Sequence, residues 1–318
     1  MLAKIILIII LTKVIKKYIA AVVQSGSVFF DKKATVEKAL HLCEEAAEAG
    51  AKLLVFPESF IPAYPRGLSF GAVVGSRSKE GRALWQKYFE ASVSLSKDEL
   101  KPLRKMAEQL DLHISVGITE QDNATNGTLY CTNVLINDEG EILGMHRKLK
   151  PTGTERLIWG EGDGKSLKVY DTKLGKIGAL ICWENYMPLA RMALYEQGVQ
   201  VYLAPTADAR PTWQSTLQHI ACEGRCFVLS SNQYMEEKDY PEDLRSLLQD
   251  STDIMCKGGS ATYDPMGQLI SGPVYNQEQI LYSDIDLATC TKGKMDFDVA
   301  GHYHRADIFQ FSYPKDKL

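Results

Sequence analysis

The sequence has no apolar run long enough to cross a bilayer. Its most aliphatic stretch, residues 5–10, falls far short of the roughly 20 residues a spanning helix needs. Lys4 precedes that run and Lys13, Lys16 and Lys17 follow it. No excess of one charge is present either. With 36 Lys and Arg against 40 Asp and Glu the net charge is −4, which gives no reason to expect nucleic acid or an anionic membrane as partner. Seven cysteines, odd in number and scattered, do not make a disulfide scaffold and fit a reducing compartment, here read as the cytoplasm. No low-complexity linker divides the chain. Residues 1–17 therefore read as an N-terminal apolar extension that packs on the body or on a partner, with a peripheral membrane anchor as the alternative. Residues 18–318 read as a single domain.

What is present is a recurring β-α-β rhythm. Residues 18–24 form an apolar strand. Val36, Ala39, Leu40, Cys43 and Ala47 then fall at helical spacing, with Gly50 as a C-terminal stop, and residues 52–56 are a second strand ended by Pro57. Residues 60–75 should be loop, and two helices follow at 79–91 and about 98–110, with Pro102 in the first turn of the second. Strands are predicted at 112–119, 129–136, 141–145, 167–170 and 176–182, with a turn at 137–140. The rhythm recurs with a strand at 199–204, a helix at 213–225 and a strand at 226–232. Residues 236–257 are polar and acidic and read as a mobile surface excursion. The end is β-rich, at 260–263, 269–270 and 279–286. Helices packed over sheets are the fold class this implies.

Three stretches carry candidate chemistry. KIGALICWENYMPLAR sets Cys182 after an apolar strand and before a helix beginning near Pro188, a junction where free N–H groups can favour a thiolate. A free cysteine is also among the most buried residue types, so plain packing competes with a nucleophile. In VFPESF, Glu58 follows a strand end, where α/β folds place their sites, although a turn cap is the rival reading. In HRKLKPTGTER, Lys148 and Glu155 lie in a basic loop that is usually solvated. Together they make chemical sense. A carboxylate can take the proton of a thiol attacking an unsaturated carbon, and an ammonium can stabilise the charge that grows on the attacked nitrogen or oxygen. No cofactor or metal is needed.

With these motifs in this order, the chain resembles the nitrilase superfamily, whose catalytic set is Glu-Lys-Cys. The resemblance runs from about residue 18 to 311 and includes IWGEGDG, LAPTADAR, HIACEGRCFVLSSNQ and FDVAGHYHR. Trp183-Glu184 after the cysteine is similar to the true nitrilase branch, and YPRG and ENYMPLAR to plant-type and β-cyanoalanine nitrilases. The resemblance implies an α-β-β-α sandwich pairing across a dimer, often extended to filaments. It implies Glu58, Lys148 and Cys182 as catalytic residues with Glu155 in support, acting on a small organic nitrile and water, with some amide product. Ala306 stands where the family usually has Pro, and Ser25-Gly26 replaces the usual small-Pro step.

Tyr64, Trp159, Trp183 and Glu184 are candidate pocket residues, against the ordinary fate of large aromatics in a core. His219, Cys222 and Cys226 at i, i+3 and i+7 could suggest a metal site, but helix-face packing explains them better. His302 and His304 read as structural. Three rivals to the nitrilase reading remain: an amidase or carbamoyl-hydrolase on the same residues, a cyanide or cyanoalanine hydratase, and a catalytically silent assembly scaffold.

Overall fold

The computed structural model describes residues 14–314. The extension read in residues 1–17 thus lies mostly outside the described residues, and its last residue, Lys17, already opens the first strand.

In chain order the main elements are β1 (Lys17–Gln24), α1 (Lys32–Glu48), β2 (Ala51–Val55), β3 (Ala72–Val73), β4 (Ser76–Arg77), α2 (Lys79–Ala91), α3 (Lys101–Leu110), β5 (His113–Gln121), β6 (Leu129–Ile136) and β7 (Ile142–Arg147). They continue with β8 (Val169–Thr172), β9 (Gly175–Ala179), α4 (Pro188–Tyr195), β10 (Val201–Leu203), α5 (Pro211–Gly224), β11 (Phe227–Ser230) and β12 (Tyr234–Glu236). The last are α6 (Glu242–Arg245), β13 (Ile254–Tyr263), β14 (Leu269–Tyr275), β15 (Gln279–Asp286) and α7 (Ala288–Lys294). One sheet runs β15-β1-β2-β5-β6-β7, and the other β12-β13-β11-β10-β9-β8 with β14 on β13.

The strand period of two explains the layering. Along β1, Ala20 and Val22 join Leu53, Val55, Ile177, Val201, Leu203 and Leu229 between the sheets. Ala21 and Val23 face the other way, onto Ala39, Cys43, Leu103 and Ala107 of α1 and α3. On the far side, Tyr202, Ala204 and Val228 pack under Ala190 and Leu194 of α4 and Trp213, Leu217 and Ile220 of α5. The architecture is therefore helix, sheet, sheet, helix, as the family resemblance implied. Strands buried on both faces read as continuous apolar runs, which is why they were legible.

The differences have local causes. β9 ends at Ala179, three residues before Cys182, although the backbone stays extended through Ile181, with the Leu180 N–H donating to Leu203 O and the Cys182 N–H to Pro205 O, and turns only at Cys182. Residues 236–257 are not an unstructured excursion. They hold the end of β12, α6 and the start of β13, and Tyr240 and Leu244 are buried against the cluster that contains Phe29, Phe70 and Tyr88. The expected loop at 60–75 overlaps the small β3-β4 hairpin, and α7 was not foreseen.

Candidate active site

Strand direction gathers the site. β1, β2 and β5 are mutually parallel, and β7 runs the same way because it is antiparallel to β6, itself antiparallel to β5. Glu58 and Lys148 thus leave the same end of one sheet, after β2 and β7. In the facing sheet β9, β10 and β11 are parallel, so Cys182, Thr206 and Gln233 follow strand ends there too. Both sets emerge at the C-terminal ends of parallel strands, where α/β folds bind their ligands.

Each acidic or basic group is fixed by its own turn. The Glu58 turn lies directly on β5. A Cβ at Gly117 would come within 2.1 Å of the Pro57 carbonyl, so only glycine permits that approach. Gln233 Nε2 donates to the Glu58 carbonyl at 3.0 Å. The Lys148 N–H donates to Cys131 O at 2.8 Å. Glu155 closes a capping box: its Oε2 accepts from the Thr152 N–H at 2.6 Å at the start of a 3-10 turn, Gly153–Leu157.

These groups converge. Lys148 Nζ donates to Glu58 Oε1 at 2.6 Å and to Glu155 Oε2 at 2.7 Å, with its side chain fully closed to solvent. Tyr64 Oη donates to Glu155 Oε1 at 2.7 Å. Thr206 Oγ1 donates to Cys182 Sγ at 3.1 Å, and Cys131 Sγ lies 3.5 Å from Glu58 Oε1. Glu58 Oε2 has no well-directed hydrogen bond, although the Cys182 thiol is near enough to lower this carboxyl's pKa. That oxygen is free to accept a proton.

Cys182 adopts φ +50°, a left-handed conformation disfavoured for a residue with a side chain. It begins a 3-10 turn, Cys182–Tyr186, that separates β9 from α4. The expected thiolate at a helix N-terminus is not what the surroundings favour. Burial pushes the thiol pKa well up and the Glu58 charge pushes it further, while Lys148 only partly offsets them. These surroundings favour the thiol, whose proton must move as sulfur attacks. Burial likewise raises the Glu58 carboxyl, with Lys148 pulling it back and Glu155 pushing it up, which makes it a better base than a free carboxylate. Lys148 feels burial against its charge, but the Glu58 and Glu155 carboxylates hold it as an ammonium.

A consequence is measurable. A base with a raised pKa is lost, as pH falls, at a higher pH than an exposed glutamate at about 4.3. The acid limb of kcat is expected above that value, and a limb at or below it contradicts Glu58 as the proton acceptor.

Cys182 lies on the wall of a hollow of about 470 Å³ shared with Tyr64, Glu155, Trp183, Asp208 and Arg210. Glu58 and Lys148 sit one contact further in. Trp183 is held as an aromatic wall: its Nε1 donates to Asp208 Oδ2 at 2.9 Å and the Arg210 guanidinium lies 4.6 Å over its ring. Burial would raise Asp208, but Arg210 and Trp183 hold its carboxyl below the ordinary range. Trp159 is buried with its ring centroid 5.7 Å from Tyr64 and 5.9 Å from Lys148 Nζ, behind the hollow and not on it.

Glu184 is a correction. It does not line the hollow, because its carboxylate turns inward to His146 and to the N–H groups of Ile181 and Leu149. The residues missed from sequence are Thr206 and Asp208, within the quoted LAPTADAR motif, and Arg66, within YPRG, which lines the same hollow. His219 is exposed beside Glu223, and Cys226 is buried under α5, so these do not converge. Among the described residues no group of three His, Cys, Asp or Glu gathers as a metal site.

A closed cluster of thiol, ammonium and two carboxylates on an α-β-β-α sandwich defines a class: folds whose paired sheets carry a centre able to run covalent addition by sulfur to an unsaturated carbon. Comparison with known proteins identifies which one. The model of the carbon–nitrogen hydrolase family matches residues 19–295. Nitrilase blr3397 of Bradyrhizobium diazoefficiens is 48% identical over 294 residues, covering 92% of this chain and 91% of its own. The bifunctional nitrilase/nitrile hydratase NIT4B of Nicotiana tabacum is 45% identical, covering 91% and 84%. Among solved structures, a carbon–nitrogen hydrolase of Helicobacter pylori superposes with TM-score 0.73 over 92% of this chain and 97% of its own, at 20% identity. The chain belongs to the carbon–nitrogen hydrolase family.

Proposed function

We propose that this protein is a nitrilase that converts a small organic nitrile and two waters to a carboxylic acid and ammonia. The observation that carries the reading is Lys148 bridging Glu58 and Glu155 beside the Cys182 thiol, which stands on the wall of a hollow. Relatives named as nitrilases over nearly the whole chain support it over an amidase, a hydratase of cyanide or cyanoalanine alone, or a silent scaffold.

Glu58 takes the thiol proton while sulfur adds to the nitrile carbon, and that proton passes to the nitrile nitrogen, giving a thioimidate. Lys148 stabilises the charge that develops on nitrogen, in a site where low dielectric strengthens the interaction. Water deprotonated by Glu58 adds to the thioimidate carbon. Nitrogen collects the protons it needs and leaves as ammonia, and a thioester remains. A second water, again through Glu58, breaks the carbon–sulfur bond and releases the acid and the thiol. If the tetrahedral intermediate expels sulfur in place of nitrogen, the product is the amide. Glu155 and Tyr64 hold Lys148 in place, and Trp183 forms a wall against the substrate.

All seven cysteines are unpaired, which supports a reducing, cytoplasmic location. Among the described residues no helix is long and apolar enough to cross a membrane. The family match over residues 19–295 supports one catalytic domain. Tyr186, Met187 and Leu189, exposed at the start of α4, support pairing into a homodimer or larger homo-oligomer.

The test is a panel of aliphatic, arylaliphatic and cyano-amino-acid nitriles with their amides, quantifying ammonia, acid and amide. Ammonia and acid from a nitrile are the expected result. Consumption of amides alone would make the protein an amidase.

A further inference from the structure

We propose that Glu184 is a positioning residue that clamps the two halves of the site together. The inference rests on the nitrilase reading for its assay, and on geometry for its content. Lys148 comes from the sheet containing β7, whereas Cys182 follows β9 in the opposing sheet. Side-chain packing between sheets leaves their relative sliding to be fixed by directional contacts. Glu184 supplies them.

Its two carboxylate oxygens divide the task. Oε2 accepts from the N–H of Ile181, the residue before the nucleophile, at 2.7 Å. Oε1 accepts from the N–H of Leu149, the residue after the ammonium, at 2.6 Å. His146, two residues before Lys148, brings Nε2 to 3.1 Å from Oε1 and 3.0 Å from Oε2. A carboxylate can only accept, so that nitrogen carries the proton, and Nδ1 meets Ser166 Oγ at 3.0 Å. The Glu184 side chain has no exposure and that of His146 has 5%. Neither lines the hollow that holds Cys182, so the pair acts through the flanking backbone.

Glu184→Gln tests the division of labour with almost no change of shape. A glutamine keeps one acceptor oxygen and puts an NH₂ donor where the other was. Three donors face the group, so one half of the site must lose its anchor. A displacement of the order of 1 Å between reacting groups costs about 100-fold in rate. The expected result is a kcat per folded molecule lower by about 10- to 100-fold, with KM within about twofold, since no substrate contact is removed.

A merely structural carboxylate would lower the melting temperature and the folded yield and leave kcat per folded molecule unchanged. That outcome overturns the proposal. If Glu184→Gln does not fold, Glu184→Asp decides by the same split. It keeps the charge and both acceptor oxygens but withdraws them by one methylene from the Ile181 and Leu149 N–H groups, so a drop of several-fold in kcat is expected and an unchanged kcat overturns the clamp. Wild-type protein that releases no ammonia from any nitrile would instead refute the nitrilase reading, so the two failures are distinct.

Discussion

Cys182→Ala is expected to abolish ammonia release from every nitrile, by about 10⁴-fold or more, while the protein stays folded. No neighbouring group can take over. Cys131 is buried in β6 with its thiol turned to Glu58 Oε1, and Cys256 points to Asn232 Oδ1 at 3.6 Å. The sulfur of Cys182 makes one side-chain hydrogen bond, from Thr206, and stands on the wall of an existing hollow. Its removal therefore opens little new void, and the cost in stability should stay small. Circular dichroism and the melting temperature check the fold, and ammonia detection checks the chemistry. Residual turnover within tenfold of wild type would remove Cys182 from the mechanism.

The second large effect is expected from Lys148. Among the described residues its ammonium is the only cation hydrogen-bonded to Glu58 and Glu155, and its side chain is wholly buried between them. Lys148→Ala leaves two buried carboxylates facing each other with no counter-charge. Removing one partner of such a pair typically destabilises by about 3–5 kcal/mol. One carboxyl should then hold its proton, and if that is Glu58 the base is lost together with the stabilising charge. A fall in kcat of at least about 10²-fold is expected. Lys148→Met separates volume from charge: it fills the same space, so an equal loss in both variants assigns the effect to the ammonium. Full activity in a folded Lys148→Met variant would show that the charge plays no part.

Much of this was legible because it depends on local pattern. The doubly buried strands announce themselves as apolar runs, and Pro57, Gly50 and Pro188 punctuate them. The motifs around Glu58, Lys148 and Cys182 could be set side by side through resemblance. Their mutual contact could not, since it depends on the direction of β7 relative to β2 and on the stacking of the two sheets. The apolar run through Ile181 hid the end of β9, because Leu180 and Ile181 stay extended and buried beyond the strand's last residue. The surroundings of the thiol were legible only in part, for a related reason. Proximity to a helix start favours a thiolate, but complete burial beside two carboxylates outweighs it, and burial is not visible in CWEN. Glu184 was read as a pocket residue from its place beside Trp183. Successive residues of a tight turn point in different directions, and this one points to His146. Residues 236–257 looked mobile because polar and acidic positions dominate. Tyr240 and Leu244, far fewer, are what anchor the segment.

The central claim is that sulfur 182 becomes covalently joined to the substrate carbon. Acid-quenching the enzyme during turnover of a slow nitrile, digesting it and weighing the peptides tests this directly. The account predicts an acyl-sized mass increase on the peptide carrying Cys182 and on no other. The same increase on the peptide carrying Cys131 or Cys256, with Cys182 unmodified, would contradict it.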